Sequence, residues 1–246
     1  MIVCWISAFS NLGILPVCPL IMIILSTIIQ RMQHFKSLLV VAPHCDDEVL
    51  GCGGLISKMR RQGMGVTILI VNPETEARCE EAQAAAEILG VSDVRFGPLT
   101  PRGLDTLTQR ELIGLIEDQI NWFRPNTVAI PSHEAAHQDH RAVAWAGMAA
   151  CRPAGNTSMH RPPIVLGWEE AADAWPPMPS SPPGLAVSLD RRDVATKIAA
   201  MAAHYSQVRM SPSERSDDAI EALARLRGVQ AGVDYAEGYS VLRWLV

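Results

Sequence analysis

Two short clusters carry the residue types from which hydrolytic sites are built. The first is Pro43, His44, Cys45, Asp46, Asp47 and Glu48, followed by Gly51, Gly53 and Gly54. The second runs from Pro131 to Val143 and contains His137, Gln138, Asp139 and His140. Three acids behind a histidine are costly to bury uncompensated, and a divalent cation is the simplest compensator. A catalytic zinc site takes three protein ligands and leaves one position for water. His44 and Asp47 are three residues apart, so a helical first turn brings them to one side. His140 then completes a set of two histidines and one carboxylate. Zinc suits these mixed nitrogen and oxygen donors, and Fe2+ accepts them as well. Asp46 stands beside a ligand but faces elsewhere, as a general base for water activated at the ion. Its rival reading is a helix cap. His137 is placed to polarise a carbonyl and to protonate a leaving amine, and Asp139 to set the tautomer of a neighbouring histidine. Glu48 stands behind these, bonded to backbone or paired with an arginine. The chemistry implied is metal-assisted hydrolysis of an amide or ester.

Both clusters directly follow apolar runs that read as buried strands, over residues 38–42 and 127–130. Further strands are expected over 66–71, 94–96, 163–168, 186–189 and 239–246. Helices are expected over 49–61, 76–89, 108–123, from His140 or Arg141 to Ala150, over 190–204 and over 213–226. Gly90 is a natural helix stop, and Thr108 with Glu111 has the spacing of a capping box. Alternating strands and helices predict a single α/β domain, with a Rossmann-like, mainly parallel sheet and helices on both faces. Parallel strands end on one edge, so two clusters about 90 residues apart converge there.

With 246 residues, 48% hydrophobic and 19% charged, the chain has material for one full core. A net charge of -5 without a basic cluster argues against nucleic acid as a partner. Six irregularly spaced cysteines read as reduced thiols, which implies a cytoplasmic protein. Residues 1–34 form an apolar extension before a domain spanning 35–246, and residues 1–30 carry no charged side chain. Three readings stay open for it: a membrane anchor, a signal sequence, or a start codon placed too early with Met22 or Met32 as the true start. Membrane contact and membrane association follow only if residues 1–30 are translated and inserted. The proline-rich stretch 175–184 reads as a flap.

The paired clusters resemble those of the LmbE-like, or PIG-L, family of zinc-dependent N-acetyl-sugar deacetylases. That family's first motif reads A-H-P-D-D-E or P-H-P-D-D-E, matched here by Pro43 to Glu48 with Cys45 in place of proline. Its second motif, H-x-D-H, is matched by His137 to His140. The resemblance extends to Arg78, Glu81 and Ala82, to Lys197, Ala200, His204, Ser206 and Gln207, and to Glu237 with Tyr239. It implies that His44, Asp47 and His140 hold zinc and that Asp46 is the base. It further implies that His137 steadies the oxyanion with Asp139 in support. Arg78, Asp105 and His204 are candidate substrate residues. The implied reaction removes an acetyl group from a small-molecule amino-sugar conjugate. The alternatives are a metal-dependent amidase or esterase for a non-sugar substrate and a non-catalytic metal- or sugar-binding protein. Homo-oligomer formation stays open. Cys45 would place an oxidisable thiol beside the metal.

Overall fold

The computed structural model describes residues 35–99, 104, 107–153, 158–171 and 183–245. The readings of the extension 1–34, of Asp105 and of most of the proline-rich stretch fall outside these residues. In chain order the elements are β1 (Ser37–Ala42), α1 (Asp47–Arg61), β2 (Gly65–Ile70), α2 (Glu76–Leu89), β3 (Asp93–Phe96), α3 (Gln109–Phe123) and β4 (Thr127–Pro131). They continue with α4 (Gln138–Ala150), β5 (Ile164–Trp168), β6 (Leu185–Leu189), α5 (Arg191–Ala203), α6 (Asp217–Ala231) and β7 (Tyr235–Trp244).

The strands form one sheet in the order β3-β2-β1-β4-β5-β7-β6. β3 to β5 are parallel, whereas β7 runs antiparallel to both its neighbours. Side chains of β1 alternate between two cores. Leu38, Val40 and Ala42 pack beneath α1, α2, α5 and α6, while Leu39 and Val41 pack beneath α3 and α4. Alternation with a strand's period of two therefore covers both faces with helices, as expected for an α/β sheet. Among the described residues, no helix is long and apolar enough to cross a membrane.

Capping chemistry sets several boundaries. Thr108 and Glu111 form the expected capping box on α3, and Gly90 ends α2 in the left-handed region at φ 76°. Elsewhere the boundaries move. α6 starts at Asp217 rather than Ser213, because Ser216 is the residue whose side chain accepts Ala219 N–H. β7 begins at Tyr235 rather than Tyr239. Its first half pairs with β6 and its second half with β5, a division that only the assembled sheet reveals.

The chain passes β1, β2 and β3 towards one edge, then returns to β4 on the other side of β1. Leu38 pairs with Thr127 and Val40 with Ala129. The carboxyl ends of β1 and β4 therefore flank the switch point of the sheet, where a crevice opens in such folds. α1 leaves this crevice with its glycine face inward. A Cβ added at Gly51 would stand 2.5 Å from Cδ2 of the fully buried Trp168, and one at Gly53 2.8 Å from Cγ of Lys197. Gly114 in α3 has nothing within 4 Å of its added Cβ. Gly51→Ala is expected to destabilise the fold by about 1–3 kcal/mol through overpacking. Gly114→Ala should stabilise it by about 0.5–1 kcal/mol through helix propensity. Denaturant unfolding of the two variants checks the contrast.

Candidate metal centre

β1 delivers His44 and α1 begins at once with Asp47, while the loop after β4 delivers His137 into a helix that carries His140 in its first turn. α4 starts earlier than its alanine-rich stretch suggested, because His137 occupies the cap position. His44, Asp47 and His140 each present a ligand atom, all within 4.8 Å of one another. His140 Nε2 lies 3.2 Å and His44 Nδ1 3.4 Å from the same oxygen, Asp47 Oδ2. The His44 main-chain N–H donates to that oxygen at 2.9 Å. On its far side, His44 Nε2 meets Asp139 Oδ2 at 3.0 Å.

Two imidazole nitrogens converging on one buried carboxylate oxygen form a donor set that fits a divalent ion. The electrostatics agree. Burial works against charge on His44, but its hydrogen bonds to the Asp139 and Asp47 carboxylates override it and raise its pKa to about 9. Burial likewise opposes the Asp47 carboxylate, yet His140 and His44 hold its pKa well below the ordinary value. The pocket thus favours positive charge beside Asp47. Asp139 behind His44 is the carboxylate–histidine arrangement that fixes a ligand ring.

Asp46 is fully buried and sits at the N-cap of α1 with φ 109° and ψ -28°. Its main-chain carbonyl accepts from Val49 and Leu50 N–H, but its side chain makes no cap hydrogen bond. The cap reading therefore holds for the backbone alone. Oδ2 instead accepts from Arg215 Nε at 2.7 Å, and Oδ1 lies 3.3 Å from Arg78 Nη2. Burial and neighbouring Asp47 raise the Asp46 carboxyl to about 6 against the pull of Arg215 and Arg78.

His137 accepts the Asp139 main-chain N–H at Nδ1, 3.1 Å away. Burial and the nearby His140 and His44 lower its pKa, and with Nδ1 accepting an N–H, Nε2 is the nitrogen left to carry a proton. Asp139 thus supports two histidines by different atoms. Its carboxylate holds His44, and its backbone, rather than its carboxylate, holds His137.

Three expectations change. His204 is fully buried and pairs through Nε2 with Glu48 Oε1 at 2.8 Å, so it is not a substrate contact. Glu48 takes backbone and histidine, not arginine: its Oε2 accepts Asp46 N–H at 3.0 Å. Cys45 is sealed from solvent, and burial pushes its thiol well above the ordinary range, which protects it from oxidation. Arg78 turns its guanidinium onto the Cys45 carbonyl, Glu74 and Asp46, within the first cluster. Arg215 is the residue that sequence reasoning missed. Placing the helix start at Ser213 absorbed Arg215 into α6. The Ser216, Asp217, Asp218 sequence is the N-terminal signal that leaves it in the preceding loop.

This fold and site define an α/β protein with a candidate divalent-metal centre at the sheet's switch point. Residues 39–151 match the family model described as PIG-L, GlcNAc-PI de-N-acetylase, and both His/Asp clusters lie inside that match. It is 27% identical over 225 residues to the diacetylchitobiose deacetylase of Thermococcus kodakarensis, covering 82% of each chain. The crystal structure of a conserved protein from Thermus thermophilus superposes with a TM-score of 0.70 at 27% identity, covering 85% of this chain and 95% of that one. The fold is also shared with the 4-carboxy-2-hydroxymuconate hydratase of Pseudomonas putida, with a TM-score of 0.68 at 23% identity over 86% of this chain and 98% of that one.

Asp139→Asn should weaken divalent-metal affinity by about 10–100-fold, because the ligand ring loses its charged partner. Chelator competition followed by metal analysis measures this directly. Unchanged affinity would contradict the orienting role.

Proposed function

We propose that this protein is a zinc-dependent N-deacetylase that hydrolyses the acetamide of an N-acetylglucosamine-containing small molecule. The observation that carries this reading is the buried convergence of His44, Asp47 and His140 beside a carboxylate outside that ligand set, Asp46. The family match and the diacetylchitobiose deacetylase relative supply the substrate class.

In this reading His44, Asp47 and His140 hold the ion, which when bound supplies Lewis acidity to water and to the substrate carbonyl. Asp46 accepts a proton from the attacking water. Its two arginine partners hold the carboxylate in place through the transfer. His137, neutral and protonated on Nε2, donates a hydrogen bond to the oxygen that gains negative charge as the carbonyl becomes tetrahedral. The proton taken by Asp46 passes to the departing nitrogen as the C–N bond breaks. The products are acetate and a free amino sugar, so the atoms of amide and water are all accounted for. Arg78, at the rim of Asp46, is a candidate to meet the rest of the substrate.

Acetate release from a panel of N-acetyl sugars, N,N'-diacetylchitobiose included, tests the assignment with the zinc-loaded protein. Asp46→Asn should lower kcat by about 10²–10⁴-fold while zinc content stays constant. Turnover of simple amides or esters without any sugar turnover would move the assignment to a non-sugar hydrolase. Water addition to an unsaturated acid without acetate release would move it towards the hydratase that shares the fold.

A further inference from the structure

Asp46 adopts φ 109°, a region that L-residues other than glycine rarely occupy, and a left-handed residue persists only where its surroundings impose it. Its own side chain does not provide that restraint, since it makes no cap bond. The Asp46 carbonyl is held in the first turn of α1 by Val49 and Leu50 N–H, and on the N–H side the restraint is Glu48, whose Oε2 accepts the Asp46 N–H at 3.0 Å from two residues downstream. Glu48 is in turn held by His204, whose Nε2 contacts Oε1 at 2.8 Å across 156 residues of sequence.

Both groups are sealed from solvent, Glu48 at 1% exposure and His204 at 0%. His204 caps the C-terminal end of α5, where its carbonyl accepts Gln207 and Val208 N–H. Its Nδ1 is buried without a hydrogen-bond partner among the described residues. An apolar side chain there would remove the unsatisfied Nδ1 but would strip the buried Glu48 Oε1 of its partner, so the imidazole is retained for Glu48. Among the described residues, the one polar contact of the imidazole ring is Glu48, and the one backbone group that Glu48 grips belongs to Asp46.

We infer that His204 and Glu48 are positioning residues that hold Asp46 in its left-handed conformation and so aim its carboxylate. Neither touches the reacting atoms; they act through the Asp46 backbone. The geometry has a clear use. Asp46 and Asp47 are adjacent in sequence but must serve different tasks, one beside the ion and one on it. A positive φ at Asp46 turns the chain sharply between strand and helix and separates the two carboxylates. Asp47 goes to His44 and His140, and Asp46 goes to Arg215 and Arg78. Without the grip of Glu48, Asp46 would relax towards a common backbone region and its carboxylate would leave the site.

This inference rests on Asp46 being the base, and the test separates the two claims. Zinc-loaded full-length protein is assayed for acetate release from N,N'-diacetylchitobiose. His204→Leu should lower kcat by about 10- to 100-fold, the scale of a small misplacement of a reacting group. KM should stay within about twofold and zinc stoichiometry should not change. His204→Gln, whose side-chain amide still reaches Glu48, should recover most of the loss. In an Asp46→Asn background, His204→Leu should cause no further loss, because the residue it serves is already gone. A general weakening of the fold would instead multiply with Asp46→Asn, and that result would overturn the proposal. Equal losses in the Leu and Gln variants, or no loss in either, would overturn it too. If His204→Leu does not fold, Glu48→Gln carries the same comparison: its kcat loss should vanish in the Asp46→Asn background. Should Asp46→Asn alone keep full activity, it is the assignment of the base that fails.

Discussion

Three consecutive carboxylates, Asp46, Asp47 and Glu48, are held out of water at the end of a single strand, none of them more than 2% exposed. Carboxylates at such spacing repel one another and lose their hydration, so each needs its own compensation. Each has a different one. Asp47 receives two imidazoles, Asp46 receives two guanidinium groups, and Glu48 receives a main-chain N–H and the ring of His204. The left-handed backbone at Asp46 makes this division possible, because it sends neighbouring side chains into separate environments.

The rest of the domain holds this turn still. α1 begins at Asp47 and is clamped along its length by a buried polar spine. Glu237 accepts Gly54 and Leu55 N–H at 2.8 and 2.7 Å and the Tyr239 hydroxyl at 2.8 Å. Lys197 joins Glu237 to the Leu50 carbonyl at 2.8 and 2.7 Å. Ser206, in the loop after α5, ties that region to Glu81 of α2. A satisfied buried network of this kind rigidifies the elements it joins. Gly51, Gly53 and Gly54 allow it by letting Trp168, Lys197 and Glu237 approach the helix backbone. Trp168 also packs edge-on to His140 at 5.7 Å, so one indole braces both the first helix and a histidine of the candidate metal centre.

Much of this was legible before any coordinates. Strand-ending prolines, the glycine group and the two His/Asp clusters identify both halves of the centre, and the period of the apolar residues identifies the sheet. Other parts were not. Lys197, His204, Ser206, Glu237 and Tyr239 stood out by resemblance only, because each acts on a partner far away in the chain. His204 was a substrate candidate through that resemblance, with no local signal of its surroundings. Its actual place is a sealed one, made by α5 closing over α1. Arg215 was hidden by a helix boundary placed four residues too early, at Ser213 rather than Asp217.

The sequence alone determined which chemistry was available and where along the chain it would appear. Ligand types, spacing within one helical turn and the strand–helix alternation are local properties, written in neighbouring residues. Only the tertiary structure decided which buried charge meets which partner. Asp139 meets His44, His204 meets Glu48, and Arg215 meets Asp46 across separations of 95, 156 and 169 residues. Desolvation makes those pairings compulsory, but several partners would satisfy each charge equally well. The packing of distant elements selects among them.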